Sequence, residues 1–260
     1  LIQIKTLLIG GSKLSDKKEL KISNKSDKPD NIVLRDHLLI EKAIKYEKRL
    51  PSFMKDYFVY LKGSVAVSTR AAYLEDIIFF CDYIVSESGL TDKDDIKDLT
   101  IEDFKNIKSR DINLFLGDFC PRYYKEREDH TFVYENNNRA LARKKSSLST
   151  LFKFLYRNEQ LPTNITDGFN PIKLPKPQPD AIKRLDIDEV MIMLEAVESG
   201  EGLTDKEKVY WEKTKLRDKA ILALFVTYGL RLNELRELNI SSFNFSRGEF
   251  KIYRKRGKEV

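Results

Sequence analysis

The chain has 260 residues, with 47 Lys+Arg against 41 Asp+Glu, a formal net charge of +6 and 41% hydrophobic residues. That length predicts one large or two smaller domains at roughly 100–200 residues each, and the apolar share excludes wholesale disorder. No apolar run approaches the ~20 residues that span a bilayer, so no membrane partner is expected; a modest positive balance permits a polyanion without demanding one.

LIQIKTLLI opens the chain and lacks a cleavage-site pattern. A leading Leu gives the expectation of a fragment or a processed chain. Residues 11–32 are polar, charged and turn-rich, and predict a linker or mobile arm. From about Leu38 the spacing becomes helical, through Leu39, Ile40, Ala43 and Ile44. A second run follows Pro51 and ends at Gly63. Ser68 or Thr69 caps the next helix, whose apolar face carries Tyr73, Ile77, Phe80 and Ile84, with Gly89 to close it. Thr100 with Asp103 three residues on predicts a capped start. CPRYYKEREDHT reads only as a charged stretch.

The next helix holds Leu141, Leu148, Leu151, Phe152 and Leu155 on one side. Arg139, Arg143, Lys144 and Lys145 charge its first half. Pro171, Pro175, Pro177 and Pro179 then favour extended chain and mark the best domain boundary. Beyond it, DIDEVMIMLEAV has acids in its first turn, as the helix dipole prefers. KLRDKAILALFVTYG is nearly all apolar and predicts a helix central to a core. A short helix, LNELREL, precedes SFNFSRGEFKIYRKRGKEV, whose alternation around Arg247-Gly248 predicts a β-hairpin.

Cys81 and Cys120 form no CxxC pair, and Cys81 sits among apolar residues, so a buried core thiol and a reducing cytoplasm are expected. His37 and His130 lack ligand partners at metal spacing, so no zinc site is predicted. Gly229 suits the left-handed residue after a helix, which puts Arg231 at the start of the next one. There it can grip a phosphate bidentately, with Glu234 holding it, or merely form a surface ion pair. Arg139, Arg143, Lys144 and Lys145, with Ser147, offer phosphate and hydrogen-bonding groups on one helix; Thr69, Arg70 and Tyr73 do so at the start of another. An ordinary solvated basic face is the alternative for both clusters. Arg184 and the rim charges Arg247, Arg254 and Arg256 are candidates for tracking a nucleic-acid backbone.

YGLRLNELREL followed by a hairpin ending in RKRGKEV resembles the first conserved box of the tyrosine recombinase, or phage integrase, family. LRDKAILALFVTYG is similar to the helix before that box. STRAAYLEDIIFFCDYI and RKKSSLSTLFKFLYRN resemble two helices of the family's core-binding domain, and NPIKLPKP its interdomain linker. The resemblance runs from about Leu50 to Val260. It implies a mainly α fold: a helical, SAM-like core-binding bundle, then the first part of a mixed α+β catalytic domain with a β-hairpin. The implied division is 1–35 as a tail or remnant of an arm-binding module, 36–167 as core-binding domain, 168–184 as proline-rich linker and 185–260 as partial catalytic domain.

The family's chemistry is attack by a tyrosine on a scissile DNA phosphate, giving a 3′-phosphotyrosyl link and a free 5′-hydroxyl, with no metal or energy cofactor. By resemblance, Arg231 matches the first catalytic arginine and Glu234 its acidic support. Lys255 matches the general acid toward the leaving oxygen, with Lys258 as rival. The H-x-x-R box and the nucleophile find no match, since Tyr228 and Tyr253 occupy helix and strand positions. A truncated, cleavage-incompetent piece of a recombinase from a mobile element or phage is therefore expected. The implied partners are a double-stranded recombination site and, at full length, three further copies in a tetramer, in the cytoplasm. Two rivals remain: a non-catalytic DNA-binding regulator, and a helical protein-interaction module.

Overall fold

The computed structural model describes residues 30–127, 130–176, 184–254 and 258–259. In chain order the helices are α1 (Asp30–Glu47), α2 (Lys55–Ser64), α3 (Val67–Ser86), α4 (Ile101–Asn106) and α5 (Ser109–Leu114). A wide helical turn, Phe115–Phe119, leads into the antiparallel strands β1 (Arg122–Arg127) and β2 (His130–Glu135). Then come α6 (Asn138–Arg157), α7 (Ile187–Ser199), α8 (Asp205–Tyr228) and α9 (Leu232–Arg236). Two short antiparallel ladders follow: β3 (Phe243–Asn244) with β4 (Glu249–Phe250), and β5 (Tyr253–Arg254) with β6 (Lys258–Glu259).

Helices α1 to α6 share one hydrophobic core. Leu74, Ile77, Phe80, Cys81 and Ile84 repeat at three- and four-residue steps along α3, so they fall on one face. Leu148, Leu151, Phe152 and Leu155 do the same on α6, and all nine are buried. Phe152 meets Phe80 at 6.2 Å and Phe104 at 5.8 Å between ring centroids. Each such side chain contributes roughly 1.5–3 kcal/mol on burial. The Thr100 backbone N–H and hydroxyl both donate to the Asp103 carboxylate at 2.8 Å, which fixes the start of α4. Burial pushes the Cys81 thiol well up and the Cys120 thiol to about 12, so neither thiol is poised for nucleophilic work.

Three expectations are corrected. Position 35/36 is not a boundary, because α1 runs through it from Asp30. Ile32 there is buried, Asn239 Nδ2 donates to Asn31 Oδ1 at 3.3 Å, and Arg35 pairs with Glu237. Those contacts are far away in sequence, so local periodicity did not reveal them. Next, the charged stretch after Cys120 begins a hairpin of two six-residue strands. Last, α8 has no buried residue; Leu216 is 78% exposed and Tyr228 56%. It packs on α7 and α9 without a second layer among the described residues, so its apolar composition does not put it inside a core.

Candidate functional site

The site around Arg231 is built by a helix stop. Gly229 takes φ +58 and its N–H donates to the Phe225 carbonyl at 2.9 Å, ending α8. Leu230 is buried and anchors the turn. Arg231 follows as the residue capping α9, in extended conformation. Glu234 accepts from the Arg231 backbone N–H at 2.9 Å and from its Nη1 at 2.8 Å. The Arg254 Nε stands 3.8 Å from the same carboxylate oxygen, Oε1.

Glu234 is thus a buried anchor, 7% exposed, while the Arg231 side chain is 77% exposed. One guanidinium edge is tethered and the rest faces outward, where its planar donors suit a phosphate. The hydrogen bond from the Arg231 backbone holds the Glu234 carboxyl below its ordinary range, aided by the Arg231 and Arg254 charges and opposed by desolvation. Two cations share one anion, so the local balance is positive. Arg254, expected only at the rim, joins the site because β5 carries it to α9. Its place next to Lys255 is the sole hint in the sequence. Lys255 itself lies outside the described residues. Lys258 sits in β6, in register with Arg254.

The second cluster lies on α6. Arg139 is exposed and, with Lys173 and Lys176, lines an open groove of about 830 Å³ between the start of α6 and the chain after Pro171. Asn138 Nδ2 donates to the Lys173 carbonyl at 2.7 Å, and Lys145 Nζ to the Asn170 carbonyl at 2.8 Å, pinning that chain to the helix. Arg143 is half in solvent and donates to Asp76 and, at 3.2 Å, to the Ala72 carbonyl. Thr69 and Tyr73 are half-buried on α3.

Three of the residues expected to contact DNA are buried and bonded within the chain. Lys144, 9% exposed, lies 3.1 Å from Asp76 and over the Phe79 ring at 4.4 Å. Burial raises the Asp76 carboxyl pKa, and the Lys144 and Arg143 charges pull it back. Arg70 is buried and pairs with Glu47. Ser147 is fully buried and donates to the Lys144 carbonyl at 2.8 Å. A buried charge must be paired, and residue spacing could not tell these cations from the exposed Arg139.

No family model matches the chain. Over 245 residues it is 27% identical to the tyrosine recombinase XerS of Streptococcus thermophilus, covering 86% of this chain and 67% of that protein. It is likewise 27% identical to XerS of Streptococcus uberis over 243 residues, with the same coverage. Similarity extends to the tyrosine recombinase XerC of Syntrophus aciditrophicus, 27% identical over 204 residues, 78% of this chain and 56% of that protein. The chain is thus similar to tyrosine recombinases over most of its length. It spans about two thirds of the streptococcal recombinases and just over half of the XerC relative. The groups of His, Cys, Asp and Glu needed to hold a metal are absent among the described residues, and no described helix is long and apolar enough to cross a membrane.

Proposed function

We propose that this chain is the DNA-gripping and first catalytic portion of a site-specific recombinase. The tether of Arg231 by Glu234, shared with Arg254, carries the reading: it supports an outward guanidinium held at one place. In this reading the bundle from Asp30 to residue 167 grips the duplex. Residues 168–184 link it to residues 185–260, which bring Arg231 to the scissile phosphate.

As a tyrosine oxygen attacks phosphorus, charge builds on the non-bridging oxygens. A guanidinium already in position stabilises that charge without reorganising. Lys255, or Lys258 in its place, gives a proton to the departing 5′-oxygen. The freed 5′-hydroxyl then attacks the phosphotyrosyl link of a partner strand, and bond energy is conserved without metal or cofactor. The nucleophile and an H-x-x-R motif are supplied by residues outside this chain: neither His37 nor His130 is followed by Arg three positions on. Four copies on two sites would complete the exchange, on cytoplasmic nucleoid DNA, in the movement of a mobile element or phage.

The test uses full-length protein and a nicked duplex that traps the covalent complex. Arg231→Ala is expected to lower the trapping rate at least about 100-fold while duplex binding changes little. Equal trapping by the variant removes the catalytic assignment. Tight binding with no covalent complex from unaltered protein favours a non-catalytic regulator.

A further inference from the structure

The hairpin β1–β2 has two chemically distinct faces. Opposite residues in an antiparallel pair share a face, and alternate residues along a strand share it too. The register Tyr123↔Tyr134, Lys125↔Phe132 and Arg127↔His130 therefore defines one row. Arg122↔Glu135, Tyr124↔Val133 and Glu126↔Thr131 defines the other. Both strand carboxylates, Glu126 and Glu135, belong to the second row. The first row contains only aromatic and basic residue types.

Side-chain contacts agree with that division. Tyr123 stacks on Tyr134 at 5.2 Å with 10° between the rings, and His130 neighbours Phe132 at 6.5 Å. Lys125 Nζ is 5.8 Å from the Tyr123 ring centre and 5.5 Å from that of Phe79 on α3. Phe79 also carries Lys144 of α6. The hairpin's acid-free face is thus continuous with the α3–α6 seam that carries Arg143. Phe132 is 46% exposed, and Lys125 and His130 are exposed. Tyr123 anchors this row on Phe79 at 4.7 Å, while the Lys125–Phe132 end stands in water. The row itself holds no acid, and Asp82 of α3 is the carboxylate that feels Lys125. Exposed aromatic and basic groups in one acid-free row complement a sugar–phosphate backbone rather than a protein core.

We infer that the Tyr123–Lys125–His130–Phe132–Tyr134 face of this hairpin is a second duplex-DNA contact, lying against the backbone beside the stretch gripped by the bundle. The inference rests on the DNA-binding reading above and adds a surface that reading does not use. Six residues per strand reach about 20 Å. At ~3.4 Å per base pair that lengthens the footprint by about 5–6 base pairs on one side.

Hydroxyl-radical footprinting and salt-dependent binding of the full-length protein test it. Lys125→Gln with Phe132→Ser should lose protection over those outer base pairs and lower the log–log salt slope by about 1. Glu126→Gln with Val133→Ser, on the opposite face, should keep both. Phe132→Ser alone, at a half-exposed position, should already weaken the outer protection if the double variant disturbs packing on Phe79. An unchanged footprint and slope in folded first-face variants overturns the proposal. So does a first-face variant that keeps both yet fails to recruit a second protomer, since the face would then bind protein. Failure of the unaltered protein to protect any site defeats the DNA-binding reading itself, whereas loss confined to the outer base pairs leaves it standing.

Discussion

Arg231 and Lys144 are both cations beside a carboxylate, yet exposure separates their work. Arg231 leaves most of its guanidinium in water, while Lys144 is enclosed. Among the described residues Asp76, 1% exposed, is the carboxylate that pairs with Lys144, and Arg143 closes the trio. Removing one partner of a buried pair leaves the other uncompensated. Asp76→Asn is therefore expected to lower unfolding stability by about 3 kcal/mol, and Asp76→Asn with Lys144→Met to recover a large part of it. Urea denaturation of both variants checks this; a double variant as weak as the single one would show that the trio is not coupled. The box around Arg231 was legible in sequence because a glycine stop, an arginine and a glutamate three residues later are local features. The separate roles of Arg139 and Lys144 were not, since both are basic residues on one helix and only the packing of α3 distinguishes them.

At the scale of elements, glycine stops and aromatic anchors set how helices meet. Gly200 ends α7 with φ +69, and an added Cβ there would come within 3.0 Å of the Trp211 ring on α8. Trp211 Nε1 donates to the Val197 carbonyl at 2.7 Å, so ring and glycine lock the α7–α8 corner together. Gly200→Ala should cost about 1–3 kcal/mol through left-handed backbone strain plus displacement of the ring. Trp211 is the chain's single tryptophan, and its fluorescence reports the corner directly. A red-shifted emission and an earlier unfolding transition are expected; an unaltered spectrum and midpoint would mean the corner tolerates the methyl group. Helices of this kind announce themselves by caps and periodicity, as Thr100–Asp103 and Gly229 do. The hairpin β1–β2 gave no such signal. Its alternation is masked by charged residues on both faces, and the sequence between Arg127 and His130 offers no glycine of the kind that marks a tight hairpin.

Over the whole molecule, α1 ties distant parts of the chain together. Ala43, in its C-terminal half, enters the bundle core, while Asn31 and Arg35 reach residues 239 and 237 beyond α9. Such a long-range tie is invisible to a reading that scans local windows, which is why the expected boundary at 35/36 cut through a helix. The tie also sets the segment that bears Arg231 beside the bundle that bears Arg139, so both proposed DNA contacts depend on one frame. The most direct measurement is a crystal structure of the full-length protein on its duplex site. The account predicts an Arg231 guanidinium nitrogen about 3 Å from a non-bridging oxygen of the scissile phosphate, with Glu234 still accepting from the other edge. A guanidinium turned into solvent, with no backbone phosphate in hydrogen-bonding reach, would contradict it.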